Sequence, residues 1–197
     1  MNLPLFPLNT VLFPGCMLDL QIFEARYLDM ISRCMKQGSG FGVVCIVDGR
    51  EVGEAANEFA AIGCEALVRD FQQRPNGLLG IRVEGGRRFR VERAQVLPDQ
   101  LTLAEVHWLD EQADCPLLPE HADLAALLTA LAEHPLVAGL GMASLVDGQQ
   151  QLANQLAYLL PLEPAQKIEL LQQDDPTLRL ERLHVLLEHL QGDAEPQ

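Results

Sequence analysis

The chain falls into two halves with different hydrophobic periods. Up to about residue 110, short apolar runs are separated by turns rich in Gly, Pro, Asn and Asp. From Pro116 onward, leucines recur three and four residues apart over longer stretches with few β-branched residues. A period of two is typical of strands, and a period near 3.6 is typical of helices. The pattern therefore predicts a β-rich first half and a helical second half.

The opening run, residues 3–15, is strongly apolar and contains Pro4, Pro7 and Pro14. Proline lacks an N–H and is excluded from helix interiors and central strands. The run therefore cannot be a helix, any strand in it is confined to a few residues, and Pro14-Gly15 predicts a turn. Because an apolar run must be buried, we predict that it forms the first strand of the core.

The rest of the first half predicts one helix and a series of short strands. The helix covers residues 24–36, with its apolar side chains on one face and Gly38 as its stop. Turns are predicted at Pro75-Asn76-Gly77, a hairpin signal, and at Gly85-Gly86. The predicted strands are residues 16–22, 41–47 (a central strand), 60–71, 78–83, 88–96 and 101–109. This spacing indicates a small antiparallel β-barrel or sandwich with one inserted helix.

The second half predicts a compact bundle of about four helices. Two cover residues 121–134 and 147–160, a third begins at Pro164, and the last begins at Asp175-Pro176, with Asp175 as its N-cap. The buried face of the last helix is predicted as Leu180, Leu183, Leu187 and Leu190. The loop 135–145 is predicted to be the most mobile. The predicted domains are a β-rich subdomain (1–112), a helical bundle (113–191) and a disordered tail (192–197).

Charge separates the halves further. Residues 1–98 carry 11 Lys/Arg and 11 Asp/Glu, whereas residues 99–197 carry 3 and 17, which accounts for the formal net charge of −14. Such a surface repels nucleic acid and anionic membranes, so neither is an expected partner. No apolar stretch approaches the length of a membrane helix, and no export signal opens the chain. We therefore expect a cytoplasmic protein.

The sequence offers little for catalysis or metal binding. Of its five cysteines, four lie in apolar surroundings and predict buried free thiols, and no CxxC pair occurs. Ser39 lies near Lys36 only past the helix-ending glycine, and neither Ser32 nor Ser144 sits in a nucleophile elbow. Residues 38–42 resemble a phosphate loop but follow a helix instead of preceding one.

The histidines do not indicate a metal site either. His184 and Glu188 share a helix face, but His189 points elsewhere, so the His-Glu-x-x-His pattern is missing. His107, His121 and His134 are isolated and receive no role. We assign no catalytic, cofactor-binding or metal-binding residue, and we expect no cofactor.

Two polar groups keep alternative interpretations. One is a cluster of arginines around the predicted Gly85-Gly86 turn. The cluster is either a solvated strand face paired with Glu84 and Glu92, or a basic face. A basic face would receive acidic peptide or dock the acidic bundle. Glu24 and Arg26 either hold the N-terminal strand and its Pro-Gly turn or anchor a peptide groove. The clustered arginines are Arg82, Arg87, Arg88, Arg90 and Arg93.

Several separated motifs resemble the N-terminal, substrate-binding domain of the ATP-dependent protease Lon. The opening signature is Leu-Pro-Leu-Phe-Pro-Leu at residues 3–8, followed by Val-Leu-Phe-Pro-Gly at 11–15. Further matches are Glu-Ala-Arg-Tyr at 24–27, Ile-Gly at 62–63, Arg-Pro-Asn-Gly at 74–77 and Val-Glu-Gly-Gly-Arg-Arg-Phe at 83–89. In the bundle, segments 153–161, 165–167 and 179–183 fit the later helices of the family. Their order and spacing together carry the resemblance.

The resemblance implies an α+β fold, with a PUA-like β pseudo-barrel, an inserted helix and a C-terminal helical bundle. It implies a stand-alone form of a region that, in Lon, recognises protein substrates and helps subunits assemble. The sequence contains no Gly-x-x-x-x-Gly-Lys-Ser/Thr motif, and the ATPase and Ser-Lys peptidase parts of Lon are missing.

We therefore expect a non-enzymatic module that binds unfolded or client polypeptides, acting as an adaptor or regulator in protein quality control, with full-length Lon as a candidate partner. The alternative is a small-molecule-binding protein or enzyme that uses the cleft between the subdomains. The peptide-binding surface and the oligomeric state are not identified by the sequence.

Overall fold

The computed structural model describes residues 1–56, 58–73, 75, 78–142 and 145–192. Outside these ranges lie Asn76 and Gly77 of the predicted hairpin turn, Ser144, and the predicted tail beyond Gly192. The contacts between Cα atoms divide the chain into two compact units, Met1–Glu111 and Gln112–Gln197. We call these the β unit and the helical unit. That they fold as separate domains stays a prediction.

Over its described residues, the β unit consists of six strands and one α-helix. The sheet order is β2-β5-β4-β3-β1-β6, and β5 also pairs with β6, so five strands close into a ring and β2 extends the sheet beside β5. The strands are β1 (Asn2–Leu8), β2 (Met17–Ile22), β3 (Phe41–Asp48), β4 (Glu58–Gln73), β5 (Leu79–Val96) and β6 (Thr102–Trp108). The predicted central strand, β3, lies between β4 and β1 and is buried over its first five residues.

The prediction of a purely antiparallel barrel is wrong at one pair of strands. β1 runs parallel to β3, with Leu5 opposite Gly42 and Leu8 opposite Cys45. Parallel neighbours need a crossover connection. Here β2 and helix α1 (Ala25–Gln37) lie between the two strands in the chain. The inserted helix predicted from the sequence thus belongs to the connection that makes the sheet mixed.

The prolines shorten the first strand less than expected. β1 covers seven residues and includes both Pro4 and Pro7. Its first half registers with β6 and its second half with β3, so each proline has one registered neighbour. At each proline, the backbone of β1 is therefore registered with a neighbouring strand on one side only. On the other side, the missing N–H of proline costs the sheet no hydrogen bond.

The predicted turn at Gly85-Gly86 does not exist, because β5 runs unbroken through both glycines. Gly85 is instead the point where the Pro14-Gly15 turn is fastened to the sheet. Gly15 N donates to Gly85 O at 2.8 Å, and Gly85 N donates to Cys16 O at 2.8 Å. A Cβ on Gly85 would lie 2.0 Å from the Phe13 carbonyl oxygen. Glycine within a strand here marks a close backbone approach and not a turn.

Apolar side chains from the ring and from α1 form the core of the β unit. Phe89 packs with Leu3, Leu5 and Val44, and Phe6 stacks on Tyr27 with the ring centroids 4.0 Å apart. Helix α1 ends at Gly38 in the left-handed conformation, as predicted. Helical spacing predicts an inner face of α1 made of Tyr27, Met30, Ile31, Cys34 and Met35, and all of these are buried except Met35, which is exposed. The four cysteines predicted to be buried thiols are buried and free: Cys16, Cys34, Cys45 and Cys64.

In the described part of the helical unit there are five α-helices, whereas the sequence predicts about four. The extra one, α3, is a single turn within the predicted mobile loop. Helix α4 lies at the centre and contacts α2, α5 and α6. Its residues 152–157 are all buried, and its alanines allow close packing. The helices are α2 (Ala122–Ala132), α3 (Pro135–Ala138), α4 (Gln149–Leu159), α5 (Pro164–Gln172) and α6 (Pro176–Gly192).

The last helix, α6, begins as predicted but buries a slightly different face. The Asp175 carboxylate accepts a hydrogen bond from Thr177 N at 2.8 Å, which is the predicted N-cap. Of the four leucines predicted to be buried, Leu180 and Leu183 are buried, Leu187 is half-buried and Leu190 is exposed. Leu186, which the pattern did not predict, is buried. The buried face is therefore rotated about the helix axis relative to the predicted apolar stripe. None of the helices described is both long and apolar enough to cross a membrane.

Candidate functional site

A groove of about 420 Å³ opens on the surface of the β unit. We call it the Trp108 groove. Its polar lining includes Arg33, Gln37, Ser39, Glu65 and Arg87. Its apolar lining includes Met30, Leu67, Leu97, Leu101, Leu103 and Trp108. The volume lies within the range of ligand-binding pockets, and the lining is mainly hydrophobic with a few charged groups, as in many binding sites.

Helix α1 supplies one side of the groove through its amphipathic pattern. Met30 and Cys34 are buried and lie four residues apart, so they share the inward face. Arg33 and Gln37 are exposed and also four residues apart, so they lie side by side at the rim. The periodicity that buries the helix thus also places a guanidinium at the edge of the groove.

Trp108, at the end of β6, is held between the core and the solvent. Its ring meets Phe89 edge to face, with centroids 5.9 Å apart, and Phe89 lies directly opposite it in β5. The Arg87 guanidinium carbon lies 4.2 Å from the centroid of the indole ring. Arg87 Nε is also 3.8 Å from the Glu65 carboxylate. Core packing therefore fixes the orientation of the indole that carries Arg87.

The groove contains one thiol, that of Cys34. Burial raises its pKa above the ordinary value. A raised pKa keeps the thiol protonated at neutral pH and makes it a poor nucleophile. The open apolar groove instead suits the binding of a side chain or an extended segment.

The arginine cluster does not form a single basic face. Arg82 binds the Asp19 carboxylate through two hydrogen bonds, of 2.7 and 2.8 Å. Arg88 is fully buried, and its Nε donates to Glu111 Oε1 at 2.7 Å. Arg90 and Arg93 are exposed, and Arg87 alone of the five lies in the groove.

The predicted partner of these arginines, Glu84, binds Arg69 instead, with the nearest atoms 2.6 Å apart. The cluster is therefore divided among separate ion pairs, a buried contact and the groove. Neither interpretation given above describes the five arginines as a group.

Glu24 and Arg26 form a structural contact at the start of α1. Arg26 is buried, and its NH2 group is 3.0 Å from the Glu24 carboxylate. Its NH1 group donates to the Gln100 carbonyl at 2.7 Å. The pair therefore holds the turn that precedes β6, and the Pro14-Gly15 turn is held by Gly85. Glu24 also lines a second pocket of about 170 Å³ beside Tyr27, so its interpretation as a peptide anchor stays a prediction.

The remaining candidates from the sequence are the histidines of α6 and the glycine-rich stretch 38–42. His184 lies 3.4 Å from Glu188, while the His189 ring nitrogen Nδ1 contacts the Val185 carbonyl at 2.7 Å. Within the part of the chain that the structure describes, no three His, Cys, Asp or Glu side chains are grouped to hold a metal ion. The glycine-rich stretch 38–42 admits close packing, because a Cβ on Gly42 would lie 2.7 Å from Leu5 and Phe89 side chains.

Sequence reasoning did not identify the Trp108 groove. Its lining comes from strands, a helix and turns far apart in the chain, and only tertiary contacts bring them together. One signal was available: Trp108 is the only tryptophan in the chain, and it stands at the end of a predicted strand. Tryptophan is enriched at binding surfaces because it combines a large apolar area with a polar N–H group.

Comparison with known proteins gives a consistent result. The family model of the ATP-dependent protease La (LON) substrate-binding domain matches residues 2–189. A Lon protease from Brevibacillus choshinensis is 25% identical over 206 residues, which cover 98% of this chain and 25% of that protein. A Lon protease from Flavobacterium johnsoniae is 23% identical over 133 residues, which cover 67% of this chain and 16% of that protein. This chain therefore spans a quarter or less of these relatives.

Solved structures agree on the fold. The crystal structure of a Lon N-terminal domain protein from Xanthomonas campestris has a TM-score of 0.77 and 40% identity, covering 94% of this chain and 98% of that one. The N-terminal domain of a Mycobacterium avium complex Lon protease has a TM-score of 0.60 and 19% identity, covering 93% and 96%. The second likeness concerns the fold alone.

Proposed function

The chain belongs to the LON substrate-binding domain family, and from that premise we propose that it is a non-catalytic module that binds polypeptide segments in the Trp108 groove. The observation that carries the proposal is the open, mainly apolar groove beside a tryptophan anchored on the core. Unfolded segments expose apolar side chains, whose burial is worth about 25 cal/mol per Å². A shallow apolar groove offers that gain without demanding one defined sequence.

Trp108 makes the proposal directly measurable. Because it is the only tryptophan, its fluorescence reports changes in the groove without background from elsewhere. The probe is a reduced, carboxymethylated protein that lacks tryptophan and stays unfolded. We expect a saturable change in Trp108 emission on titration, and the same protein in its folded, oxidised form should give none.

Variants then locate the binding. Leu97→Asp and Leu103→Asp place a charge in the apolar lining, and each should weaken binding by at least tenfold. Val96→Asp is the matched control, because Val96 is the exposed neighbour of Leu97 and is not among the groove residues. Equal binding by all three variants and the parent would refute the groove as the site. Thermal unfolding of each variant checks that its fold is intact.

We further propose that the module acts in the cytoplasm as an adaptor or regulator of protein quality control, delivering clients to a full-length Lon protease or withholding them from it. Its supports are the family membership and the match to Lon proteases over a quarter or less of their length. The test adds the purified chain to Lon and a fluorescent unfolded client. Faster degradation indicates delivery, slower degradation indicates competition, and an unchanged rate at saturating chain contradicts both.

A further inference from the structure

The charged groups of the Trp108 groove are arranged asymmetrically. Two guanidiniums, of Arg33 and Arg87, stand at the rim, and one carboxylate, of Glu65, lies lower. The Arg87 side chain is 59% exposed, whereas that of Glu65 is 15% exposed. The charge that the groove presents to solvent is therefore mainly positive, on a chain whose formal net charge is −14.

Arg87 is held in a geometry that suits a carboxylate ligand. Its guanidinium lies over the Trp108 ring, which restricts the side chain without using its N–H donors. Its Nε atom is 3.8 Å from Glu65, which is beyond hydrogen-bond length. A planar guanidinium with available donors binds carboxylates through two parallel hydrogen bonds. Apolar side chains of Leu97 and Leu103 line the same groove, so an apolar residue and a carboxylate can be bound together.

We propose that the Trp108 groove selects client segments in which acidic residues flank an apolar anchor, and that Arg87 and Arg33 determine this specificity. The inference rests on the proposed function and names its substrate class. The charge complementarity favours this occupant, because the rim presents two guanidiniums to solvent while the carboxylate of Glu65 is largely covered. A basic segment would meet two like charges, and a neutral segment would offer the guanidiniums no carboxylate.

The experiment compares three short tryptophan-free peptides that share their apolar residues. Their flanking positions carry Asp and Glu, Asn and Gln, or Lys. Binding is measured by Trp108 fluorescence at low salt and high salt. We expect the acidic peptide to bind roughly tenfold more tightly than the neutral one, and the basic peptide most weakly. The acidic preference should shrink at high salt, since the rim is exposed to solvent.

Charge variants test the two arginines. Arg87→Gln should remove most of the acidic preference and Arg33→Gln a smaller part, and the double variant Arg33→Glu, Arg87→Glu should prefer the basic peptide. The matched control is Arg90→Gln, an exposed arginine on the same strand that does not line the groove. An equal loss in Arg90→Gln would overturn the assignment, because the preference would then come from the general field of the protein.

The outcomes separate the two levels of the proposal. If all three peptides bind equally, the acidic specificity is wrong and the proposed function stands. If none binds while the variants and the parent are folded by circular dichroism, the proposed function fails. Light scattering tests a further alternative. If the parent is a dimer and Arg87→Glu dissociates it, a second acidic copy of the chain occupies the groove. That result would also overturn the proposal.

Discussion

Among the described residues, the most deeply buried arginine of the β unit and that of the helical unit are held differently. In the β unit, Arg88 is 0% exposed and pairs with the carboxylate of Glu111. In the helical unit, Arg179 is 1% exposed and donates to the Asn154 side-chain oxygen and to the Gln173 carbonyl. One guanidinium meets a full negative charge and the other meets neutral oxygens.

The difference shows two uses of the same side chain. Arg88 fastens the end of the β unit, since its carbonyl also accepts a hydrogen bond from Leu109 N at 3.0 Å. Arg179, on α6, joins that helix to α4 and to the segment after α5. In both units, the forked donors of arginine hold chain segments that are distant in sequence. Both residues lie in motifs that carry the family resemblance, so each of these motifs contains a residue that holds the architecture.

Adjacent residues make the separation of roles sharper. Arg87 and Arg88 are neighbours on β5, where successive side chains point to opposite faces. Arg88 is buried with Glu111, whereas Arg87 lies over Trp108 in the groove. The same motif thus contributes one arginine to stability and, under our proposal, the next one to recognition.

The substitution with the largest expected effect is Gly85→Ala, and it tests whether the two units unfold separately. Its Cβ would lie 2.0 Å from a main-chain oxygen that is part of the fastened Pro14-Gly15 turn, so the strand or the turn must move. We expect a loss of about 3 kcal/mol or more in the free energy of unfolding of the β unit. Trp108 fluorescence follows the β unit, and far-UV circular dichroism follows the helices during thermal unfolding.

Gly86→Ala is the matched control, because its nearest neighbour is the flexible Glu65 carboxylate and not backbone. We expect a much smaller loss for this variant. If the far-UV circular dichroism of the helices persists above the temperature at which Trp108 fluorescence changes, the two units unfold separately. A single transition seen by both probes would contradict separate unfolding. Equal effects of the two substitutions would disprove the close-approach explanation.

The second test removes one side-chain oxygen that contacts Arg88 and one that contacts Arg179. Glu111→Ala leaves a buried cation without its carboxylate and should cost about 2 kcal/mol, below the range for fully buried pairs because Glu111 is partly exposed. Asn154→Ala removes a hydrogen bond to a charged group and should cost about 2 kcal/mol. Denaturant unfolding measures both.

The conservative variants should distinguish the two environments. Glu111→Gln keeps the shape but loses the charge, so it should recover only part of the stability. Asn154→Asp adds a charge opposite Arg179 and should be tolerated better than Asn154→Ala. If Glu111→Gln were as stable as the parent, the negative charge would have no role in the β unit.

The third test uses the two tyrosines, one in each unit. Burial raises the pKa of Tyr27 to about 12, from the ordinary 10.0. The unfolded chain therefore loses this proton near pH 10, while the folded chain keeps it until about pH 12. The resulting stability is fully present below pH 10 and is lost as the pH rises from 10 to 12, by about 2 kcal/mol.

Tyr27→Phe should abolish this component of the alkaline loss, and Tyr158→Phe, in α4, should leave it in place. In the Tyr158→Phe variant, the tyrosinate absorbance follows Tyr27 alone. A transition near pH 10 in the folded protein would contradict the burial of the Tyr27 phenol.

The smallest effects concern two helix caps in the helical unit. Asp175 caps α6 from the preceding residue, and Asp114 caps α4 by accepting from Gln150 N at 2.7 Å and Gln151 N at 3.2 Å. Each substitution to Ala should cost about 1 kcal/mol. Substitution to Asn keeps an acceptor and should recover much of the loss, as measured by denaturant unfolding.

The caps also illustrate how far sequence reasoning reaches. Asp175 was predictable because a cap and the helix that it serves are adjacent in the chain. Asp114 was not, because it lies 36 residues before its partner Gln150. The buried face of α6 shows the same limit. Helical spacing defines an apolar stripe, but the neighbouring helices determine which part of the stripe is covered. The pattern therefore predicts Leu190 as buried and misses Leu186.

Local sequence patterns were sufficient for the α+β class, most of the strand and helix segments, the helix stop at Gly38 and the family resemblance. These follow from periodicity, from the backbone limits of glycine and proline, and from motifs read in order. Three features required tertiary contacts: β1 runs parallel to β3, Gly85 receives a turn instead of forming one, and Trp108 and Arg87 meet in one groove. Local patterns encode the backbone conformation of single segments, whereas pairing and groove formation depend on contacts between residues far apart in the chain.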